Sequence, residues 1–153
     1  MRYEYIEPLV TSTISVLDSV IQSDISKGRV SLVNGNGIHG DIAIVIKVMN
    51  DSEGSFILSM ETETALKVCG LMNGETFDSL TPFGIDSIAE LANMIAGNAT
   101  STLTDMGFNF NVSTPHVVIK EEFRNKIPAI ETFQIPLFTE CGEIIINVAL
   151  RTN

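Results

Sequence analysis

Tryptophan is absent from the chain, and tyrosine, cysteine and histidine occur only twice each. Without tryptophan there is no sugar-stacking platform, which argues against glycosidase chemistry on any carboxylate pair. Basic residues are scarce too: nine Lys and Arg stand against 19 Asp and Glu, a formal charge of −10. Phosphate contacts need clustered cations, so nucleic acid is not an expected partner, nor is an anionic membrane surface. The acid surplus reads as solubility. Cys69 and Cys141 lie far apart with no C-x-x-C pair, and His39 and His116 are too scattered for a zinc site, so no metal site is expected. Both cysteines are expected as buried thiols in a reducing cytoplasm. No secretory leader is expected, since Met1-Arg2-Tyr3-Glu4 runs straight into an amphipathic pattern, and no apolar run is long enough to span a bilayer. A G-x-S-x-G elbow is missing, and Gly35-x-Gly37 lacks the G-K-[ST] of a phosphate loop. His39 reads as a turn residue and His116 as one at the edge of the core.

Hydrophobic residues make up 44% of the 153, enough for one well-filled core, and no Pro-rich, Gly/Ser-rich or charged tract divides the chain. A single domain over 1–153 is expected. Residues 4–22 carry Ile6, Leu9, Val10, Val16, Leu17, Val20 and Ile21 at helical spacing, with Pro8 tolerable only in the first turn. Val- and Ile-rich strands are expected at Arg29–Val33, Asp41–Met49 and Ser55–Met60. Asn34-Gly35-Asn36-Gly37 reads as a turn and 50–54 as a hairpin loop. A short helix over Thr62–Met72 should stop at Asn73-Gly74. A long helix should follow, capped by Thr81, opened by Pro82 and ended by Gly107. Strands at Phe108–Val112, His116–Lys120, Ile130–Phe138 and Glu143–Arg151 complete the chain. Pro136 places its strand at an edge or beside a bulge. Short connections favour antiparallel pairing, so the expected fold is α/β (α+β), a two-layer sandwich of a mostly antiparallel sheet covered by long helices.

On a wheel at about 100° per residue, the long helix puts Ile88, Leu91, Ala92, Ile95, Ala96, Ala99 and Leu103 on one arc, which should face the sheet. Asp86, Glu90, Asn93 and Gly97 stack along the opposite side, spaced by four, three and four. Glu90 also fits an ordinary solvated carboxylate, and Asp86 a favourable charge near a helix N-terminus. Asn93 and Gly97 are less easily explained, because both are poor helix formers and neither has a cap to make. Two unfavourable residues in line on one exposed face suggest that something docks there.

The run Asp86-Ser87-Ile88-Ala89-Glu90-Leu91-Ala92-Asn93, continuing through Met94-Ile95-Ala96-Gly97-Asn98-Ala99, resembles the signature of the CheC/CheX family of chemotaxis phosphatases. In that signature an Asp or Ser is followed by Glu four residues on, by Asn three later, and by a Pro farther along, an element that Pro115 matches. The resemblance extends over nearly the whole chain and implies a CheC-like fold. The first helix offers Glu7 but has Val10 where an Asn would be needed, so the chain looks like the CheX type with one site. The resemblance implies dephosphorylation of the phosphoaspartate of a CheY-like response regulator. Asn93 would orient the attacking water and Glu90 would pair with a lysine beside the phosphate, with Asp86 and Gly97 in the docking line. No cofactor of its own is implied, Mg2+ being expected in the partner's acidic pocket. A homodimer is implied as well. The competing reading is a non-catalytic module that binds a response regulator, or another signalling partner, without turnover.

Overall fold

The structure, a computed structural model, describes residues 3–33, 38–50, 52–123 and 131–152. One antiparallel sheet of eight strands carries three helices. In chain order these are α1 (Tyr3–Ile21), β1 (Ser26–Lys27), β2 (Ser31–Val33), β3 (Ile42–Asn50), β4 (Ser52–Met60), α2 (Thr62–Asn73), α3 (Pro82–Asp105), β5 (Phe110–Val112), β6 (His116–Ile119), β7 (Thr132–Thr139) and β8 (Gly142–Thr152). The sheet order is β1-β7-β8-β4-β3-β5, with β2 also on β7 and β6 also on β3. This is the expected α+β sandwich.

Strand alternation sets the core. Ile42, Ile44, Ile46 and Val48 of β3 point to one face, and so do Phe56, Leu58 and Met60 of β4, Ile135 and Leu137 of β7, and Ile144, Ile146 and Val148 of β8. They bury against the apolar sides of all three helices in a single cluster. On the reverse face a smaller cluster joins Ala43, Val45, Ile57, Val118 and Phe123.

Helix ends follow local chemistry. Gly74 takes a left-handed conformation after α2, and its N–H bonds to the Gly70 carbonyl at 2.8 Å. The Thr81 hydroxyl accepts from the Gly84 N–H at 3.1 Å, with Pro82 in the first position of α3. Gly107, at φ +92°, turns the chain out of α3. The start of α2 is capped from a distance. Asp41 Oδ2 accepts from the Thr62 N–H at 2.9 Å, which holds the Asp41 carboxyl below its usual range. A hydrogen bond and the charge of Asp41 push the neighbouring Glu61 carboxyl up.

Several expectations need correction. Pro8 lies inside α1 beyond its first turn. The carbonyl deprived of a donor there is that of Glu4, in the opening turn, while Ile6, Leu9 and Val10 are buried and hold the helix down. The strand expected over Arg29–Val33 is divided. β1 pairs Lys27 with Leu137, β2 pairs Ser31 with Gln134, and the register shifts by one between them. The Gly28 N–H bonds to the Pro136 carbonyl at 2.8 Å. Arg29 and Val30 therefore both stand opposite Ile135, a bulge in the outer strand next to a proline that has no N–H for the ladder. Pro136 itself is in an inner strand, between β8 and the β1–β2 edge. The loop expected over 50–54 is almost entirely strand, because β8 continues along β4 as far as the Ser52–Thr152 pair. His116 is exposed at the first position of β6 rather than at the core's edge. The turn expected at 34–37 and the start of the strand expected from Ile130 lie outside the described residues.

Candidate functional site

The α3 helix buries Gly84, Ser87, Ile88, Leu91, Ala92, Ile95, Ala96, Ala99 and Leu103. These include every residue of the apolar arc read from the sequence. Asp86, Glu90, Asn93 and Gly97 are all exposed along the other side. A Cβ built on Gly97 meets no atom within 4 Å, so that position stands in open space. Among the described residues, no side-chain hydrogen bond or ion pair engages Glu90 or Asn93. Both groups stay available to an incoming partner. Pro115 is half-buried in the connection between β5 and β6, outside α3. The same connection is fastened to β3, where the Lys47 N–H bonds to Ser113 Oγ and the Ser113 N–H to the Lys47 carbonyl, both at 2.9 Å.

The line is held rigidly from beneath. Cys69 Sγ donates to the Gly84 carbonyl at 3.3 Å, and Asn73 Nδ2 donates to Ser87 Oγ at 2.9 Å. Together they fasten the end of α2 to the first half of α3, one turn before Glu90. Both cysteines are free and buried, and burial pushes both thiols up, as expected of inert core groups. Sequence reasoning missed this clamp. Its signal was Ser87, a polar residue on the buried half of the wheel.

Alongside the line runs an open cleft of about 500 Å³, lined by Asn93, Met94, Gly97 and Asn98 of α3 and by Ser15, Val16 and Ser19 of α1. The larger depression, about 650 Å³ between α2 and the β7–β8 turn, has Leu66, Lys67, Leu71 and Phe77 in its walls and holds none of these polar residues. Chemically, the α3 surface can present an amide and a carboxylate from successive turns of one helix. An amide both donates and accepts, so it can hold a water in a fixed direction. Among the described residues, no three His, Cys, Asp or Glu side chains gather into a group that could hold a metal ion. Nor, among them, is any helix long and apolar enough to cross a membrane.

The family described as "Chemotaxis phosphatase CheX" matches residues 42–137, which includes the whole of α3. The CheY-P phosphatase CheX of Thermotoga maritima is 29% identical over 127 residues, 82% of each chain. Among solved structures, a CheC-like superfamily protein from Shewanella sp. PV-4 superposes with a TM-score of 0.86 at 26% identity, covering 99% of both chains. A chain from the CheX–CheY–BeF3–Mg2+ complex of Borrelia burgdorferi superposes at 0.82 with 28% identity, covering 98% of this chain and 99% of that one. With more than half of its length inside the family's match and an α+β fold shared from end to end, this chain belongs to the chemotaxis phosphatase CheX family.

Proposed function

We propose that this protein removes the phosphoryl group from the phosphoaspartate of a CheY-like response regulator, using the exposed line of α3. The observation that carries this reading is the pairing of Glu90 and Asn93 on successive turns, both exposed and neither engaged within the chain. The Thermotoga relative is a CheY-P phosphatase, and the Borrelia relative was crystallised with CheY, BeF3 and Mg2+.

An acyl phosphate is already reactive, so the protein needs no nucleophile of its own. What speeds its loss is a single well-placed water and the exclusion of bulk solvent. On this reading Asn93 holds that water in line with phosphorus. Glu90 takes a charge-assisted hydrogen bond from a lysine beside the partner's phosphate and fixes the docking geometry. Asp86 and Gly97 extend the contact line on either side. The Mg2+ belongs to the partner's acidic pocket. The whole of 1–153 acts as one domain in the cytoplasm and pairs with a second copy through a sheet edge. A sedimenting mass near the 16.6 kDa of the monomer would remove that last element.

Turnover separates this reading from capture alone. Phosphorylated regulator, mixed with substoichiometric protein, should lose its phosphate many times over per protein molecule. A regulator that is bound but decays at its unassisted rate would identify a binding module.

A further inference from the structure

Two large apolar side chains flank the Glu90–Asn93 pair on the outer side of α3. Phe83 is 54% exposed and Met94 is 41% exposed. Phe83 precedes Glu90 by two helical turns and Met94 follows it by one, so at about 100° per residue both lie within about 40° of Glu90 around the helix. Phe83 is not a loose side chain. Its ring stacks on Phe77 with centroids 6.0 Å apart and planes 17° from parallel. Phe77 is half-buried against the core, so one face of Phe83 is fixed while the rest of the ring stays in water. Met94 forms part of the wall of the cleft that contains Asn93.

We propose that Phe83 and Met94 are the apolar anchors of the response-regulator interface, gripping the surface around the phosphorylation site while Glu90 and Asn93 reach into it. The proposal rests on the phosphatase reading above and deepens it. Its ground is the size of the contact. A standard interface covers about 800 Å² per partner, a disc of about 16 Å radius. At about 1.5 Å per residue, Phe83 stands about 15 Å from Asn93 along α3, and Met94 is its direct neighbour. A regulator whose contact is centred between Phe83 and Asn93 covers both anchors well inside that disc. Large side chains that pack well near the middle of an interface carry much of its affinity, and methionine adapts to an irregular surface. The occupant is thus the apolar surface bordering the regulator's acidic pocket.

The test is titration of the intact protein with the beryllofluoride-activated regulator, for wild type, Phe83→Ser, Met94→Gln and the double variant. Met49→Gln serves as control, since Met49 is 45% exposed but lies on the inner strand β3, on the face of the sheet opposite the helices. The double variant should bind about tenfold more weakly, and Met49→Gln should match wild type. In the phosphatase assay the loss should fall on KM rather than kcat. Should Phe83→Ser lower the melting temperature, Met94→Gln alone carries the test, with an expected loss of about threefold. Wild-type affinity in the double variant, with the wild type still active, overturns the anchors and leaves the phosphatase reading standing. If wild-type protein neither binds nor dephosphorylates the activated regulator, both fall together.

Discussion

The α1 and α3 helices lie against each other on the same side of the sheet, and each carries a glutamate whose successors three and seven residues on can be compared. In α3 these are Glu90, Asn93 and Gly97, all exposed, and the cleft beside them is open. In α1 they are Glu7, Val10 and Ile14, of which only Glu7 is exposed; Val10 is 7% exposed and belongs to the core. The β1–β2 segment crosses this part of α1, with Lys27 and Val30 lining a pocket of about 190 Å³ over Glu7, Val10 and Ile14. Amphipathicity does not distinguish the two helices. The side of the helix occupied by the residue three after the glutamate does. In α1 that residue holds the fold together, and in α3 it is left for a partner.

Charge reversal at the shared glutamate should give the largest difference. Glu90→Lys should weaken binding of the activated regulator by about 2–5 kcal/mol, the range for disrupting a hydrogen-bonded charge pair. Glu90→Gln should lose less, because it removes the charge without adding repulsion. Equal affinities in the two variants, measured by titration, would mean that Glu90 faces no cation.

The next contrast exchanges the residues three positions on. Val10→Asn puts an amide into the core and should cost about 1–3 kcal/mol of stability from the buried polar group. Asn93→Val, on the exposed line, should stay within about 0.5 kcal/mol. Thermal melting of both variants checks this, and equal losses would erase the distinction between the helices.

A small stability change of the opposite sign is expected at Gly97. Gly97→Leu fills open space, so the helix should gain something under about 1 kcal/mol from improved propensity. Phosphatase activity should nevertheless fall, because a leucine there obstructs a closely approaching partner. A clear drop in melting temperature would make Gly97 structural and end the docking line at Asn93.

Much of this was legible in the chain because it is local. Thr81, Pro82, Gly74 and Gly107 mark helix ends by their own conformational preferences. The buried arc of α3 follows from helical period alone, and the exposed line follows from the same wheel. The remainder depends on residues that meet only in the folded chain. The bulge at Arg29 and Val30 is set by Pro136 across the sheet. The cap on α2 comes from Asp41, a remote carboxylate. Gln22, not a glycine, takes the positive φ of 58° just after α1. The β5 and β6 strands share β3 end to end, an arrangement that no periodicity encodes. At the site, the clamp from Cys69 and Asn73 and the α1 wall of the cleft are likewise products of packing.

The account stands most directly on the Asn93 amide. Stimulated dephosphorylation by Asn93→Ala should be measured beside its affinity for the beryllofluoride-activated regulator. Removing one preorganised polar group raises a barrier by about 2–4 kcal/mol, roughly a thirty- to thousandfold loss of rate. The account predicts that loss in kcat with melting temperature and affinity close to wild type. Wild-type turnover by Asn93→Ala would contradict it, since no other residue is assigned to the water.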